Sequence, residues 1–115
     1  MKGPRTSLLA SALMCGVAHG TPLNGDLVAE MCQNRADKKS ADYLILGVSQ
    51  GILATQAIDA GRTPPVSPIV CYGPTATGAQ VIDTVCKYAI GHPELATADV
   101  GLIALKALAE SFPCK

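Results

Sequence analysis

The residue type best placed to do chemistry in this sequence is cysteine, at positions Cys15, Cys32, Cys71, Cys86 and Cys114. Thiols can ligate a metal, attack a substrate or pair with one another, and spacing separates these uses. No two of the cysteines stand two to four residues apart, as the ligands of a structural zinc site do, so no metal site is expected. A thiol or hydroxyl nucleophile needs a base beside it. Of the two histidines, His19 lies in the N-terminal leader, and His92 precedes Pro93 at what reads as a helix end, where a cation suits the dipole. No Gly-x-x-x-x-Gly-Lys phosphate loop occurs. The sequence therefore predicts no catalytic residue, no cofactor and no enzyme, and leaves disulfide formation as the chemistry.

The N-terminus supports that use. Lys2 and Arg5 precede the apolar run over residues 8–17, and the small residues Ala18-His19-Gly20 follow, which is the order of a secretory signal peptide cleaved after Gly20. A retained anchor would need a longer apolar run. A lipidated Cys15 would need a better residue than Met14 before it. Cleavage leaves one domain, residues 21–115, with four cysteines in an exported chain, a count that reads as two disulfides. Losing Lys2 and Arg5 leaves seven basic residues against nine acidic ones, so nothing on the mature chain attracts nucleic acid.

These cysteines must be positioned by helices. Residues 40–61 carry no charge between Asp42 and Asp59, and their apolar residues run almost all the way round a helix, which predicts a buried central helix wrapped by the others. The sixteen uncharged residues fall short of the roughly 20 that span a bilayer. Before it, Asn24 can cap a helix to about Arg35, with Cys32 in its apolar stripe. After it, residues 62–74 hold four prolines and form an irregular connection. Thr77 and Gln80 match a capping box opening a third helix that carries Val81, Val85 and Cys86 and ends at Gly91. A fourth helix runs from about Thr97 to Ser111. The fold class is all-α: a small disulfide-stapled bundle of four helices around a central buried one.

The tight connection between the third and fourth helices makes them antiparallel, which brings the end of the fourth, near Cys114, beside the start of the third, near Cys71. Cys32 and Cys86 then face across the core. This favours Cys32–Cys86 and Cys71–Cys114 and leaves the other two pairings open.

The order of motifs resembles a known family. Cys32 in the first helix, Leu46-Gly47-Val48-Ser49-Gln50-Gly51-Ile52 in the second, then Cys71-Tyr72-Gly73-Pro74, Tyr88-Ala89-Ile90-Gly91-His92-Pro93-Glu94 and the final Phe112-Pro113-Cys114 are together similar to the Tai family. These are periplasmic immunity proteins that neutralise peptidoglycan amidase effectors of type VI secretion. The resemblance implies a small helical protein, a homodimer, that resides in the periplasm, makes no membrane contact once its leader is removed, and blocks the cleft of an effector amidase. The surplus of apolar faces on four short helices also points to a homodimer. The exposed connections, residues 62–74 and 91–99, are the expected contacts, with Arg62, Tyr72, His92 and Glu94 as the residues that reach the partner. One departure stands out: Ile45 occupies a position where the family usually has cysteine, and Cys86 is instead in the third helix. That placement is similar to the HdeA-like periplasmic acid chaperones, which form the alternative and also favour Cys32–Cys86. Few carboxylates, two staples and one histidine outside the leader favour a rigid inhibitor over a chaperone that loosens in acid.

Overall fold

The computed structural model describes residues 22–34 and 36–115; the expected leader, residues 1–20 with Cys15, lies outside them. Four α-helices follow in order, α1 (Gly25–Gln33), α2 (Lys38–Ala60), α3 (Gly78–Gly91) and α4 (Val100–Ser111), with a 3-10 turn, Pro93–Leu95, between the last two. Among the described residues there is no strand, only isolated bridges joining Asn24 to Asp99 and Val70 to Pro113.

The caps explain the starts of two helices. The Asn24 side chain accepts from the Leu27 N–H at 3.0 Å, and Thr77 and Gln80 form both bonds of a capping box. The other starts move. α2 begins at Lys38, ahead of Ser40, because Asn34 organises the polar run: its Oδ1 accepts from the Ala36 N–H and its amide donates to Asp37. Lys38 then pairs with Asp42 one turn on. α4 begins at Val100, later than Thr97, because the preceding connection is spent on α1. The Gly25 and Asp26 N–H groups donate to the Ala98 and Ala96 carbonyls, and the Val100 N–H donates to the Leu23 carbonyl. These bonds satisfy donors that a helix start leaves open. They also explain Gly25, where any Cβ would run into the Leu95 carbonyl and the Ile103 side chain.

The core reverses one expectation. α2 is not the buried centre: of its 23 residues only Ala41, Ile45 and Ser49 are buried, while Tyr43 and Ile58 are 67% and 66% exposed. The centre is α4, which buries Val100, Ile103, Ala104, Ala107 and Leu108 in 12 residues and packs against the other three helices. Its alanines let the neighbouring helices approach closely, and Ile103 and Leu108 fill the space between Val28, Ile45, Val70 and Val85. An uncharged helix is free to be buried, but the packing decides which helix is.

Two disulfides staple this arrangement, Cys32–Cys86 between α1 and α3, and Cys71–Cys114 between the long connection and the C-terminus. The second closes beside the bridge of Val70 to Pro113 and the bond from the Cys71 N–H to the Phe112 carbonyl, as antiparallel α3 and α4 require.

Candidate partner-binding surface

With no metal-binding cluster among the described residues, the surface is the place to look for function. One string, Gly47-Val48-Ser49-Gln50-Gly51, has the spacing of a hydrolase nucleophile elbow, but the context is wrong. Ser49 is buried in the middle of α2, not on a strand-to-helix turn, and its hydroxyl donates to the Leu46 carbonyl at 2.9 Å. No base faces it. The serine is a helix residue satisfied by its own backbone.

The four expected contact residues divide into two kinds. Arg62 is largely exposed, with its Nε donating to Asp59 at 3.0 Å, and Glu94 is exposed on the 3-10 turn. His92 is half-buried and engaged inward: its ring stacks on Tyr88 with centroids 3.8 Å apart, and its Nδ1 lies 2.8 Å from the Tyr88 carbonyl oxygen. It closes the end of α3. Tyr72 is also turned inward, with its ring edge-on to Phe112 at 4.9 Å and its hydroxyl shielded from solvent. The two connections lie at opposite ends of α4, since one pairs Val70 with Pro113 and the other leads into Val100. Arg62 and Glu94 are thus not brought into one patch.

The Tyr72 hydroxyl carries a testable consequence. It makes no hydrogen bond of acceptable geometry; the Ser49 hydroxyl beside it gives its own hydrogen to Leu46. Burial pushes the Tyr72 pKa above its ordinary value of 10.0, and Ser49 tempers the rise. The fold therefore prefers neutral Tyr72, so that contribution is whole below pH 10.0 and is lost as pH climbs through the raised folded value. Tyr72→Phe is expected to leave stability at neutral pH within about 1 kcal/mol, on the stabilising side, because an unpartnered buried hydroxyl is removed. Chemical denaturation at neutral pH and again above pH 10.0 should show the variant losing less stability at the alkaline end than the parent chain. Equal alkaline losses would contradict the account.

The first connection is the exposed one. Every residue from 62 to 69 is exposed, yet the segment is anchored at both ends. At its start the Arg62 and Val66 N–H groups donate to the Asp59 carbonyl. At its end Gln56 works as a clamp: its Oε1 accepts from the Ile69 and Val70 N–H groups, both at 2.9 Å, and its amide donates to the Val70 carbonyl at 3.0 Å. Beyond that lies the Cys71–Cys114 bridge. A proline-rich segment held in this way presents Arg62, Val66 and Ile69 on a rigid frame. Gln56 carried no motif that could single it out, because its partners are 13 and 14 residues away.

The second connection is mostly consumed by α1, through the Ala96 and Ala98 carbonyls. Its exposed side chains, Pro93, Glu94, Thr97 and Asp99, alternate with residues turned inward.

Set against known proteins, the chain matches a family described as Rap1a immunity proteins, over residues 24–114. No curated protein and no solved structure matches it significantly. The matched residues include all four helices and both disulfides.

Proposed function

Because the chain belongs to the Rap1a immunity protein family, we propose that it is the antidote to a secreted toxin, acting by stoichiometric binding without catalysis of its own. The finer reading follows the resemblance to the Tai proteins: the toxin is a peptidoglycan amidase delivered by type VI secretion, and the meeting place is the periplasm, reached through the N-terminal leader. The family match is the observation that carries the binding role. The anchored, exposed segment at residues 62–69 supports a particular way of performing it.

An amidase that cleaves peptide cross-bridges must hold an extended chain in a cleft, and an exposed segment anchored at both ends can enter such a cleft. Prolines 64, 65 and 68 restrict the unbound segment, and the Asp59 and Gln56 bonds fix its ends, so little ordering entropy remains to be lost on binding. Arg62, Val66 and Ile69 supply one charge and two apolar anchors. Glu94 lies at the other end of the bundle and does not join them.

The experiment is to mix the chain lacking its leader with purified peptidoglycan amidases of type VI secretion and look for a complex by gel filtration. Val66→Asp changes an exposed side chain, so it should leave the melting temperature alone and weaken the complex by at least about tenfold, as loss of an interface anchor does. Undiminished binding by that variant would remove the segment from the interface. No complex at micromolar concentration, with suppression of client aggregation in acid instead, would replace the proposal with the chaperone.

A further inference from the structure

A groove of about 480 Å³ runs between α2 and α4, beside the proline-rich segment. Val48 and Ile52 of α2, Leu105 of α4 and Ile69 of the segment give it apolar walls. Gly51 and Gly101 line it from the two helices, and a Cβ at either would meet nothing within 4 Å, so packing within the chain does not call for glycine at these positions. Gly51, in the interior of α2, even weakens the helix relative to alanine. What the two glycines preserve is the width of the groove. From Val48 to Asp59 it follows α2 for about 17 Å, and its last turn is polar. There the Thr55 hydroxyl has given its hydrogen to the Gly51 carbonyl, Gln56 Oε1 is filled by two N–H groups of the segment, and one carboxylate oxygen of Asp59 accepts from Arg62 at 3.0 Å. Thr55 and Asp59 are left with acceptor capacity. Among the described residues no lysine, arginine or histidine lines the groove.

We propose that this groove is the second half of the toxin-binding surface and takes an apolar ridge of the toxin that ends in a lysine or arginine, the aliphatic part lying between Val48, Ile52 and Leu105 and the cation at Thr55 and Asp59. The inference rests on the toxin-binding function proposed for residues 62–69. Continuity argues for this occupant: Gln56 and Asp59, whose bonds anchor the segment, and Ile69, which belongs to it, also line the groove. A partner that reaches Ile69 therefore stands at the groove's edge. Size argues the same way, because the segment has eight exposed residues and a standard interface uses about 20 to 30 a side. Charge selects the ridge. Acceptors without a cation among them favour a basic tip and reject a carboxylate, and the Asp59–Arg62 pair is too exposed to hold its partner against an incoming cation. A long basic side chain suits the rest, since its stem is apolar.

Calorimetric titration of the chain lacking its leader with a purified type VI peptidoglycan amidase that forms the complex tests the inference. Gly51→Leu and Gly101→Leu fill the groove from open positions and should each weaken binding by at least about tenfold with an unchanged melting temperature. Thr55 is exposed, and Thr55→Lys and Thr55→Glu are close in bulk, so the difference between them reads charge alone. Lysine should bind at least about tenfold more weakly than glutamate. Equal losses from the two would overturn the basic tip. An amidase that ignores all four changes yet loses affinity to Val66→Asp would overturn the groove and leave the function standing, whereas no complex with the parent chain would remove both. Altered self-association with amidase affinity intact would give the groove to a second copy and overturn the proposal.

Discussion

Replacing Cys32 and Cys86 together by alanine is expected to bring the fold close to its stability limit. The bridge joins residues 54 apart, and constraining the unfolded chain over a loop of that length is worth about 4 kcal/mol in the chain-entropy model. Domains of this size carry about 5 to 15 kcal/mol in total. The bridge also ties α1 to α3, and α1 has only nine residues, too few to be helical unaided. The expected result is a fall in melting temperature of about 15 to 30 °C, at about 4 to 8 °C per kcal/mol for a domain of this size. Opening Cys71–Cys114 by the same double replacement should cost a similar amount, since that loop spans 43 residues, but the damage should appear in the proline-rich segment. Denaturant curves that differ by less than about 1 kcal/mol from the parent would contradict the assignment of the staples to stability.

Ile103→Ala should cost about 2 to 5 kcal/mol, the range for truncating a fully buried aliphatic side chain. Ile103 has no exposed surface, sits one turn into α4 and touches the space that Gly25 leaves open. Leu102→Ala, one residue away and 45% exposed, should cost under about 1 kcal/mol because half of its surface is already in water. Equilibrium unfolding of the two variants side by side tests whether α4 is the centre of the bundle. Comparable losses from both would contradict that placement.

That placement is where sequence and structure part. The charge-free stretch between Asp42 and Asp59 is legible as a helix, but absence of charge does not bury it, and only Ala41, Ile45 and Ser49 of α2 leave water. Hydrophobic periodicity reports which surfaces can leave water, and not whether the same chain covers them. In α2 one stripe meets the core and the rest is left open, whereas α4 reaches the centre through Ala104 and Ala107, whose small side chains look unremarkable in a sequence. The caps at Asn24 and Thr77 were legible because each bond spans three residues. The start of α4 at Val100 was not, because it is set by a bond to Leu23 from the far end of the chain.

The surface followed the same rule. Arg62 and Glu94 were readable as exposed charges in connections. Tyr72 and His92 stand in the connections expected to meet the partner, yet a place in a connection gives a side chain no direction, and each packs on a ring, Phe112 and Tyr88. Gln56 was invisible in advance. Its three bonds exist only once the chain has returned past the end of α2.

The claim on which the functional account rests is that this chain silences an amidase by occupying its cleft. The direct measurement is a titration of peptidoglycan cleavage by the cognate amidase with the purified chain, its leader removed and both disulfides formed. The account predicts turnover falling linearly to zero with a break at one inhibitor chain per enzyme. Residual cleavage that persists in excess inhibitor, or no effect at micromolar concentration, would contradict it.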